Sequence, residues 1–451
     1  MPYEPEWNQV GAESVARLQE LIRIDTTNPP GNEVHAAEWI ADTLAPAGAE
    51  PVVLESEPGR GSVVARLAGT GDLPSLLLMS HIDVVPAESG EWSRPPFAAE
   101  IHDGYVWGRG ALDMKNIVAQ HVTLMLLFSE RASKMGSLPR DLILMAAADE
   151  ERGGQLGAHY IVDNHPELVR AEYALNEGGG QSFEVGGKLY MTVQTAEKGL
   201  ARFNLTATGS PGHASMPRED NAVVLLAEAV ASVGRARLPA HLTDTVRAYL
   251  TALAQDQPAD IAELLMRIAR DEGAVDAALE ALPVDDQRKR YLYAATHNTA
   301  SPTILSAGSK VNVFPSSATA RVDGRTLPGF APSDLAAELA DYLPAGVSLE
   351  FDEEGVPLES SLGSPLFDAI AASIAEHAPE VTLVPTLLAG ATDAKAIVRN
   401  GTKVYGFSPQ RYEPDVDRQS LVHGHDERIS IANQVFATRV LYDVVERFCA
   451  A

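Results

Sequence analysis

The segment SLLLMSHIDVVP, residues 75–86, combines the two features that decide the fold of this chain. Its apolar run, residues 76–79, is continuous rather than alternating, which is typical of a strand covered on both faces of a sheet. Two further runs of this kind occupy residues 142–148 and 173–175. Polar residues follow the first run at once, with Ser80, His81 and then Asp83. The segment therefore predicts a buried strand with a functional residue at its carboxyl end.

Helical segments separate these apolar runs along the chain. Residues 14–24 and 34–44 show helical spacing of their apolar side chains, and residues 115–128 and 157–164 continue the pattern. Alternation of strands and helices is typical of a layered α/β architecture with a mostly parallel central sheet. We therefore predict an α/β domain that begins with residues 1–198.

The pattern changes at Gly199, where an α+β arrangement begins that predicts an antiparallel sheet. Its predicted strands and helices are residues 201–208, 222–233, 303–306, 318–322, 333–342 and 347–351. A long Ala-rich helical stretch, residues 238–295, lies among them. The α/β pattern then returns in residues 358–451. We predict that residues 199–357 form a lid domain inserted into the α/β domain.

Charge and cysteine content limit the classes of partner and compartment. The 451 residues contain 35 Lys and Arg against 62 Asp and Glu, a formal net charge of −27. So acidic a chain repels nucleic acid and anionic membranes, and we expect neither as a partner. The single cysteine, Cys449, excludes an internal disulfide framework and fits a reducing compartment. With no secretory signal and no apolar run of the ~20 residues that span a bilayer, we predict a cytoplasmic protein.

Metal-ligand residue types stand directly after the predicted core strands. The residues concerned are His81, Asp83, Asp113, Glu150, Glu151 and Glu177. Any one of these carboxylates could be a helix cap or a solvated loop residue. Several of them converging at one edge of a sheet would repel one another unless a cation were present. A histidine among carboxylates suits Zn²⁺ or a similar divalent ion, and the lack of thiolates favours an open hydrolytic site over a closed structural one.

Motifs of competing enzyme classes are absent from the sequence. There is no G-x-S-x-G nucleophile elbow, no G-x-x-x-x-G-K-[ST] loop and no G-x-G-x-x-G that opens a helix. The glycines at residues 178–180 lack the Lys-Ser/Thr that would complete a phosphate loop. We interpret them as a tight turn that presents Glu177.

Five ordered motifs resemble those of the dinuclear-zinc aminoacylase/carboxypeptidase family, which includes acetylornithine deacetylase and succinyl-diaminopimelate desuccinylase. They are SHIDVVP (80–86), GRGALDMKN (108–116), ADEERGG (148–154), NEGGG (176–180) and HGHDE (423–427). The stretch EWSRPPFAAEIHDG, residues 91–104, is most similar to the carboxypeptidase-S and aminoacylase-like branch.

The resemblance implies a role for each residue of the catalytic domain. Asp113 would bridge two divalent ions, most simply Zn²⁺, with Co²⁺ or Mn²⁺ as alternatives. His81 and Glu177 would complete one metal site, and Glu151 and His423 the other, with His425 as the alternative to His423. Glu150 would act as general base on the water between the metals, and Asp83 would orient the His81 ring. The peptide after Asp113 is cis in this family.

The inserted domain resembles the family's lid, through which these enzymes form homodimers. The motif SPGHAS, residues 210–215, implies that His213 stabilises the oxyanion of the reaction. Asn312 and Arg325 would bind the substrate's carboxylate or backbone, and Gly390 would line the pocket. The alternatives are an ordinary loop residue for His213 and a surface salt bridge for Arg325, while Asp393 is expected to cap the next helix. The helical stretch 238–295 enlarges this lid relative to the family's minimal one. We expect a homodimer through the lid, with a monomer as the alternative if these helices cover the lid face.

The predicted function is hydrolysis of an amide bond in an N-acyl amino acid or a short peptide with a free carboxylate. A dipeptidase or aminopeptidase of the same family is the first alternative. A non-catalytic metal-binding scaffold is an alternative of a different class. Retention of Glu150 argues against the scaffold, because binding metal needs no general base.

Overall fold

The computed structural model describes residues 3–450, which divide into two compact units. The first unit comprises the chain up to Thr195, residues 360–384 and the chain from Thr392 onward. The second unit comprises residues 196–359 and 385–391. Within the described chain, no helix is both long enough and apolar enough to cross a membrane.

The central sheet of the first unit is parallel in its middle and antiparallel at its sides. In spatial order its strands are Glu50–Glu55, Gly61–Leu67, Leu142–Ala147, Leu76–His81, Tyr173–Asn176, Lys403–Gly406 and Lys188–Glu197. The four strands from Leu142–Ala147 to Lys403–Gly406 run parallel to one another. Ser182–Val185 and Val381–Leu388 also pair with Lys188–Glu197. The mixed α/β prediction is confirmed.

Helices complete the first unit and bury the central strands. They are Trp7–Arg23, Val34–Leu44, Lys115–Met135, Ala158–Asn164, Pro365–His377, Ala394–Ile397, Arg418–Leu421 and Ile431–Cys449. Every residue of the strands Leu76–His81 and Leu142–Ala147 is buried, as their continuous apolar runs predict. A small sheet of Ile101–His102, Tyr105–Trp107 and Arg428–Ser430 lies apart from the central one.

The second unit has an antiparallel sheet of four strands. Their order is Thr299–Ala307, Ser317–Thr326, Gly199–Thr208 and Val347–Glu354. The helices Ala222–Gly234 and Pro332–Leu339 pack on this sheet, around a core that includes Phe203 and Leu226. The stretch predicted to be helical, residues 238–295, contains the helices Asp244–Gln255, Ala259–Arg270, Val275–Ala281 and Asp286–Thr296.

Three parts of the fold differ from the sequence-based expectation. The first helix begins at Trp7 rather than near Ser14. The strand Glu50–Glu55 was not predicted, because it is a half-exposed edge strand without a continuous apolar run. Residues 385–391 were assigned to the α/β domain but group with the second unit.

The second unit leaves and rejoins the first at neighbouring positions. The backbone N–H of Ser360 donates to the carbonyl of Thr195 at 2.7 Å. The next residues, Ala196 and Glu359, are partners in an antiparallel ladder. The two points at which the first unit is interrupted are therefore joined by backbone hydrogen bonds.

Candidate metal centre

Three adjacent parallel strands end at one edge of the sheet and deliver the predicted site residues there. His81 is the last residue of its strand and lies beside Ala147, the last residue of the next. Glu150 and Glu151 follow that second strand in a short 3-10 turn. Glu177 follows the strand Tyr173–Asn176 directly. The convergence expected from the sequence is thus present in the first unit.

Asp113 stands between two groups of ligand-type side chains. Its Oδ1 lies 3.1 Å from Nε2 of His81, and Nε2 of His81 lies 3.9 Å from Oε1 of Glu177. Its Oδ2 lies 3.2 Å from Nε2 of His423, and the same nitrogen lies 3.2 Å from Oε1 of Glu151. Each carboxylate oxygen of Asp113 therefore faces a different half of the site.

Two sets of ligand atoms are close enough to hold an ion. Atoms of His81, Asp113 and Glu151 lie within 4.8 Å of one another, as do atoms of His81, Glu150 and Glu177. One imidazole among several carboxylates is a donor set that suits Zn²⁺, Co²⁺ or Mn²⁺. Both sets contain His81, and His423 beside Asp113 and Glu151 supplies an imidazole for a second ion, so the donor types present fit a pair of divalent ions.

The structure distinguishes His423 from the neighbouring His425. His423 has a left-handed backbone, with φ of 60°, that turns its ring toward Asp113 and Glu151. His425 makes no hydrogen bond or ion pair with any described residue. The peptide between Asp113 and Met114 is cis, as the resemblance implied.

Asp83 ties the His81 ring to the turn that carries the acidic pair. Nδ1 of His81 lies 3.0 Å from the backbone carbonyl of Asp83 and 3.3 Å from its carboxylate, so Nε2 faces Asp113. The Asp83 carboxylate also accepts the backbone N–H groups of Glu150 and Glu151, each at 3.2 Å. One buried carboxylate thus orients the ring and holds the turn.

A buried ion pair, Arg109 with Glu427, supports the site from behind. Their closest atoms lie 2.6 Å apart. Glu427 also accepts the backbone N–H groups of Gly110, Leu112 and Asp113. Neither residue was predicted to have a role, although Glu427 lies in the HGHDE motif.

Arg109 extends the same network to the loop that carries His423. Its Nη2 donates to the backbone carbonyls of His423 and Gly424, at 3.3 and 3.0 Å. A single ion pair therefore fixes both the loop of Asp113 and the loop of His423.

The electrostatics of the cluster show an excess of buried acid. Burial raises the pKa of Glu150 well above its usual range, and burial raises that of Glu177 to about 8. Hydrogen bonds to Asp113 and Glu151 raise the pKa of His423 to about 10. Burial works against ionisation of Asp113, yet its contacts with both imidazoles hold its pKa well below the usual value. A cation would stabilise the ionised carboxylates and so relieve this excess.

Asp393 does not cap a helix, which corrects the expectation from its position. It precedes the helix Ala394–Ile397 but makes no capping hydrogen bond. Both carboxylate oxygens are buried without a partner, and burial raises the pKa of this group to about 6. The charges of His81 and Asp83 act on it, so it adds a further acid to the cluster. No local pattern distinguishes such a residue from a cap.

The glycines after Glu177 allow a close approach of backbones. A Cβ on Gly180 would lie 2.3 Å from the backbone of Ser408, and its φ of 89° is in the left-handed region. A Cβ on Gly179 would lie 2.1 Å from the carbonyl of Gly406. The interpretation of these glycines as a tight turn agrees with this geometry.

The remaining predicted residues lie in the second unit. His213 is exposed, and its Nδ1 accepts the backbone N–H of Ser215 at 3.2 Å. The backbone carbonyl of Asn312 accepts the N–H of Ala214. Because Nδ1 accepts a hydrogen bond, it carries no proton in the neutral ring, and the proton of the neutral His213 tautomer is then on Nε2. Gly390 lies in the segment 385–391 of this unit.

Arg325 forms a two-point ion pair with Asp323. The atom pairs Nε–Oδ1 and Nη2–Oδ2 are 2.7 and 3.2 Å apart. The salt bridge that sequence analysis kept as its alternative is therefore present. Nη1 of Arg325 is buried and has no hydrogen-bond partner among the described residues.

Comparison with known proteins agrees with this geometry. The family model described as Peptidase family M20/M25/M40 matches residues 77–447. Probable carboxypeptidase S-like 2 of Dictyostelium discoideum is 30% identical over 374 residues, which cover 80% of this chain and 69% of the relative. N-fatty-acyl-amino acid synthase/hydrolase PM20D1 of Xenopus tropicalis is 30% identical over 445 residues, covering 92% and 82%.

A further relative and a solved structure extend the comparison. Aminoacylase-1 of Homo sapiens is 28% identical over 428 residues, which cover 92% of this chain and 90% of the relative. The structure of the M20 family metallo-carboxypeptidase Sso-CP2 from Sulfolobus solfataricus has a TM-score of 0.69 at 19% identity and covers 97% of this chain and 100% of that one. At that identity the structure supports the fold alone.

Proposed function

The chain belongs to peptidase family M20/M25/M40, and from this premise we propose that it hydrolyses an amide bond in an N-acyl amino acid or a short peptide with a free carboxylate. The resemblance stated from its motifs is thereby confirmed, and metal-dependent amide hydrolysis follows from membership. The names of PM20D1 and aminoacylase-1 support an N-acyl amino acid as the substrate. A dipeptidase or aminopeptidase of the same family is the alternative.

The observation that carries the proposal is the position of Asp113. One of its oxygens faces His81 at 3.1 Å and the other faces His423 at 3.2 Å. A carboxylate shared in this way would hold two ions, one together with His81 and Glu177 and the other together with Glu151 and His423. Zn²⁺ is our proposal for both ions, with Co²⁺ and Mn²⁺ as alternatives that accept the same donors.

Two divalent ions at this site would lower the pKa of a water molecule to about 7 and polarise the scissile carbonyl. Glu150 is half-buried beside Glu177 and His81, and following the resemblance we assign it the role of base rather than of ligand. Its carboxylate accepts the proton of the attacking water and then donates that proton to the nitrogen of the leaving amine. Asp83 holds the His81 ring and the turn of Glu150 in fixed positions during both proton transfers.

Residues of the second unit have proposed roles in the same reaction. His213 donates from Nε2 to the oxyanion, a contact typically worth ~3–4 kcal/mol. Asn312, Arg325 and Gly390 contact the substrate, with Arg325 first releasing part of its pairing with Asp323. The intact SPGHAS motif favours a homodimer in which His213 serves the partner's site, and the single cysteine favours the cytoplasm.

A substrate screen tests the proposal. Purified full-length protein would be loaded separately with Zn²⁺, Co²⁺ or Mn²⁺ and offered N-acyl amino acids, dipeptides and their C-terminal amides. We expect amine release from the substrates with a free carboxylate. A Glu150→Gln preparation, purified in parallel, controls for contaminating hydrolases.

Two results would contradict the proposal. Faster release from peptides with a free amino end and a neutral carboxyl end would favour the aminopeptidase alternative. No release from any substrate, in protein shown to carry two ions, would favour a non-catalytic scaffold.

A further inference from the structure

A cavity of about 170 Å³ lies in the first unit beside the metal centre. Its walls include Leu112, the residue before Asp113, together with Gln410, Arg418 and Ile429. A cavity of ~150 Å³ is large enough to hold a benzene ring, so this one can hold a carboxylate and the carbon atoms next to it.

Arg418 is a cation on the cavity wall without an acidic partner. Its one hydrogen bond among the described residues runs from Nε to Oε1 of Gln410, at 3.1 Å. Burial lowers the pKa of this guanidinium, and the nearby carboxylates of Asp113 and Glu427 oppose that change. A bound anion would stabilise a half-buried cation of this kind, because its charge-assisted hydrogen bonds replace the water contacts that burial has removed.

Gln410 supplies a second, independent observation. Only 4% of this residue is exposed, and its Nε2 is buried without a hydrogen-bond partner. The bond that Oε1 accepts from Arg418 fixes which end of the amide is the nitrogen, so Nε2 is an unused donor. Oγ of Ser182, on the same wall, is also buried without a partner. The cavity therefore combines a free guanidinium edge with two unsatisfied polar groups.

The other charged side chains on the wall already contact aromatic rings or hydrogen-bonding groups of the protein. Arg428 stacks on the Trp107 ring at 4.5 Å and donates to the carbonyl of Asp426. Arg411 stacks on Phe436 at 4.4 Å. The carboxylate of Glu413 accepts hydrogen bonds from Tyr105 and Asn433.

We propose that this cavity receives a carboxylate group of the substrate and that Arg418 is its charge partner, an inference that rests on the proposed function. The contrast with Arg325 supports it, since Arg325 is held at two points by Asp323 whereas Arg418 has no carboxylate partner. Gln410 and Ser182 donate the remaining hydrogen bonds. The carboxylate is either the α-carboxylate of the amino acid or one on its side chain.

Paired substrates test the inference and identify the source of the carboxylate. N-acetylmethionine and its amide differ only in the α-carboxylate, whereas N-acetylglutamate and N-acetylglutamine differ in the side chain. Arg418→Met should lower kcat/KM for the charged member of one pair ~10–100-fold, chiefly through KM, and change the neutral member less than ~3-fold. Arg418→Lys should restore part of the loss, because it returns the charge without the planar fork.

The matched control is Arg428→Met, which removes an arginine from the same wall whose guanidinium is stacked on the Trp107 ring. In each pair it should leave the ratio of kcat/KM for the charged substrate to kcat/KM for the neutral one unchanged. If Arg418→Met folds poorly, Gln410→Glu provides a second test, since its carboxylate would occupy Arg418 and should reduce turnover of the charged member only.

The inference is overturned if an active, folded Arg418→Met protein keeps both wild-type ratios, or if it loses charged and neutral substrates equally. Those outcomes differ from failure of the proposed function, in which the wild-type protein with bound ions cleaves none of the four substrates.

Discussion

The charged residues of the two units are organised in opposite ways. In the second unit they pair with each other: Arg325 with Asp323, Arg202 with Glu353 at 2.9 Å, and His241 with Glu338 at 2.8 Å. In the first unit the acids at the ends of the parallel strands outnumber their cationic partners, and burial raises the pKa of several of them. The difference indicates that the acids at the strand ends of the first unit have too few cationic partners of their own, and that divalent ions would supply the missing positive charge.

Removing the divalent ions should have the largest effect. We expect chelation to abolish turnover completely, since the reaction depends on the ions, and addition of Zn²⁺, Co²⁺ or Mn²⁺ to restore it. Circular dichroism should show most of the secondary structure retained, because the core strands of the first unit are apolar. Full activity in excess chelator, with elemental analysis showing no bound metal, would break the contrast between the units.

Breaking one ion pair in each unit compares the two kinds of charge directly. Glu427→Gln leaves the buried Arg109 guanidinium without its partner and should lower the free energy of unfolding by ~3–5 kcal/mol. Glu353→Gln removes the half-exposed partner of Arg202 and should cost less than about 1 kcal/mol. Urea unfolding measures both. Equal effects would mean that the pair behind the metal centre is no more important than a surface pair.

Substituting the two adjacent acids separates the base from the ligand. Glu150→Gln cannot accept the proton of water and should lower kcat by at least ~10²-fold with both ions retained. Glu151→Gln should instead weaken metal binding, which elemental analysis after dialysis would reveal. Identical behaviour of the two variants, with full metal content in each, would contradict the assignment.

Mixing two inactive variants tests whether the second unit acts across a homodimer. Subunits of His213→Ala and Glu150→Gln should together regain at most about a quarter of wild-type activity, because half of the dimers are mixed and each has one intact site. Native mass spectrometry would verify subunit exchange. Exchange without recovery would mean that His213 acts within its own subunit or has no catalytic role.

The smallest expected effect concerns Lys198, a buried cation of the second unit. Burial lowers its pKa from 10.5 to about 7, and its Nζ donates to the carbonyl of His297 at 2.7 Å. Between pH 7 and 10.5 the unfolded chain binds the proton that the folded chain has lost, so stability should rise with pH in this window. Urea unfolding at several pH values should show this rise of the free energy of unfolding in the wild-type protein and not in Lys198→Met. The control Lys188→Met, which replaces an exposed lysine, should show the same rise as the wild type. A slope that survives in Lys198→Met would belong to another group.

Much of the first unit and its centre could be predicted because each depends on local sequence. A continuous apolar run indicates a buried strand by itself, and His81 and Glu177 each stand two positions after the end of such a run. The strand Glu50–Glu55 has no such run, since only its pairing with Gly61–Leu67 makes it a strand.

The parts that could not be predicted depend on contacts between distant residues. Arg109 and Glu427 are separated by 318 positions, and neither sequence neighbourhood indicates the other. Asp393 has the position of a helix cap, and only tertiary structure shows that its oxygens are buried among other acids. The Arg418 cavity likewise exists only where the segments of Leu112, Ser182 and Gln410 come together.

The hydrogen bond from Ser360 to Thr195 has a consequence for how such a protein evolves and can be engineered. Its 2.7 Å length places the two ends of the interruption side by side, so an insertion of any size there leaves the remaining chain the same short gap to close. The segment between them can be exchanged or enlarged, as the four helices within 238–295 illustrate, without new strain on the central sheet. We expect a short turn that joins these two residues to yield a first unit that folds by itself.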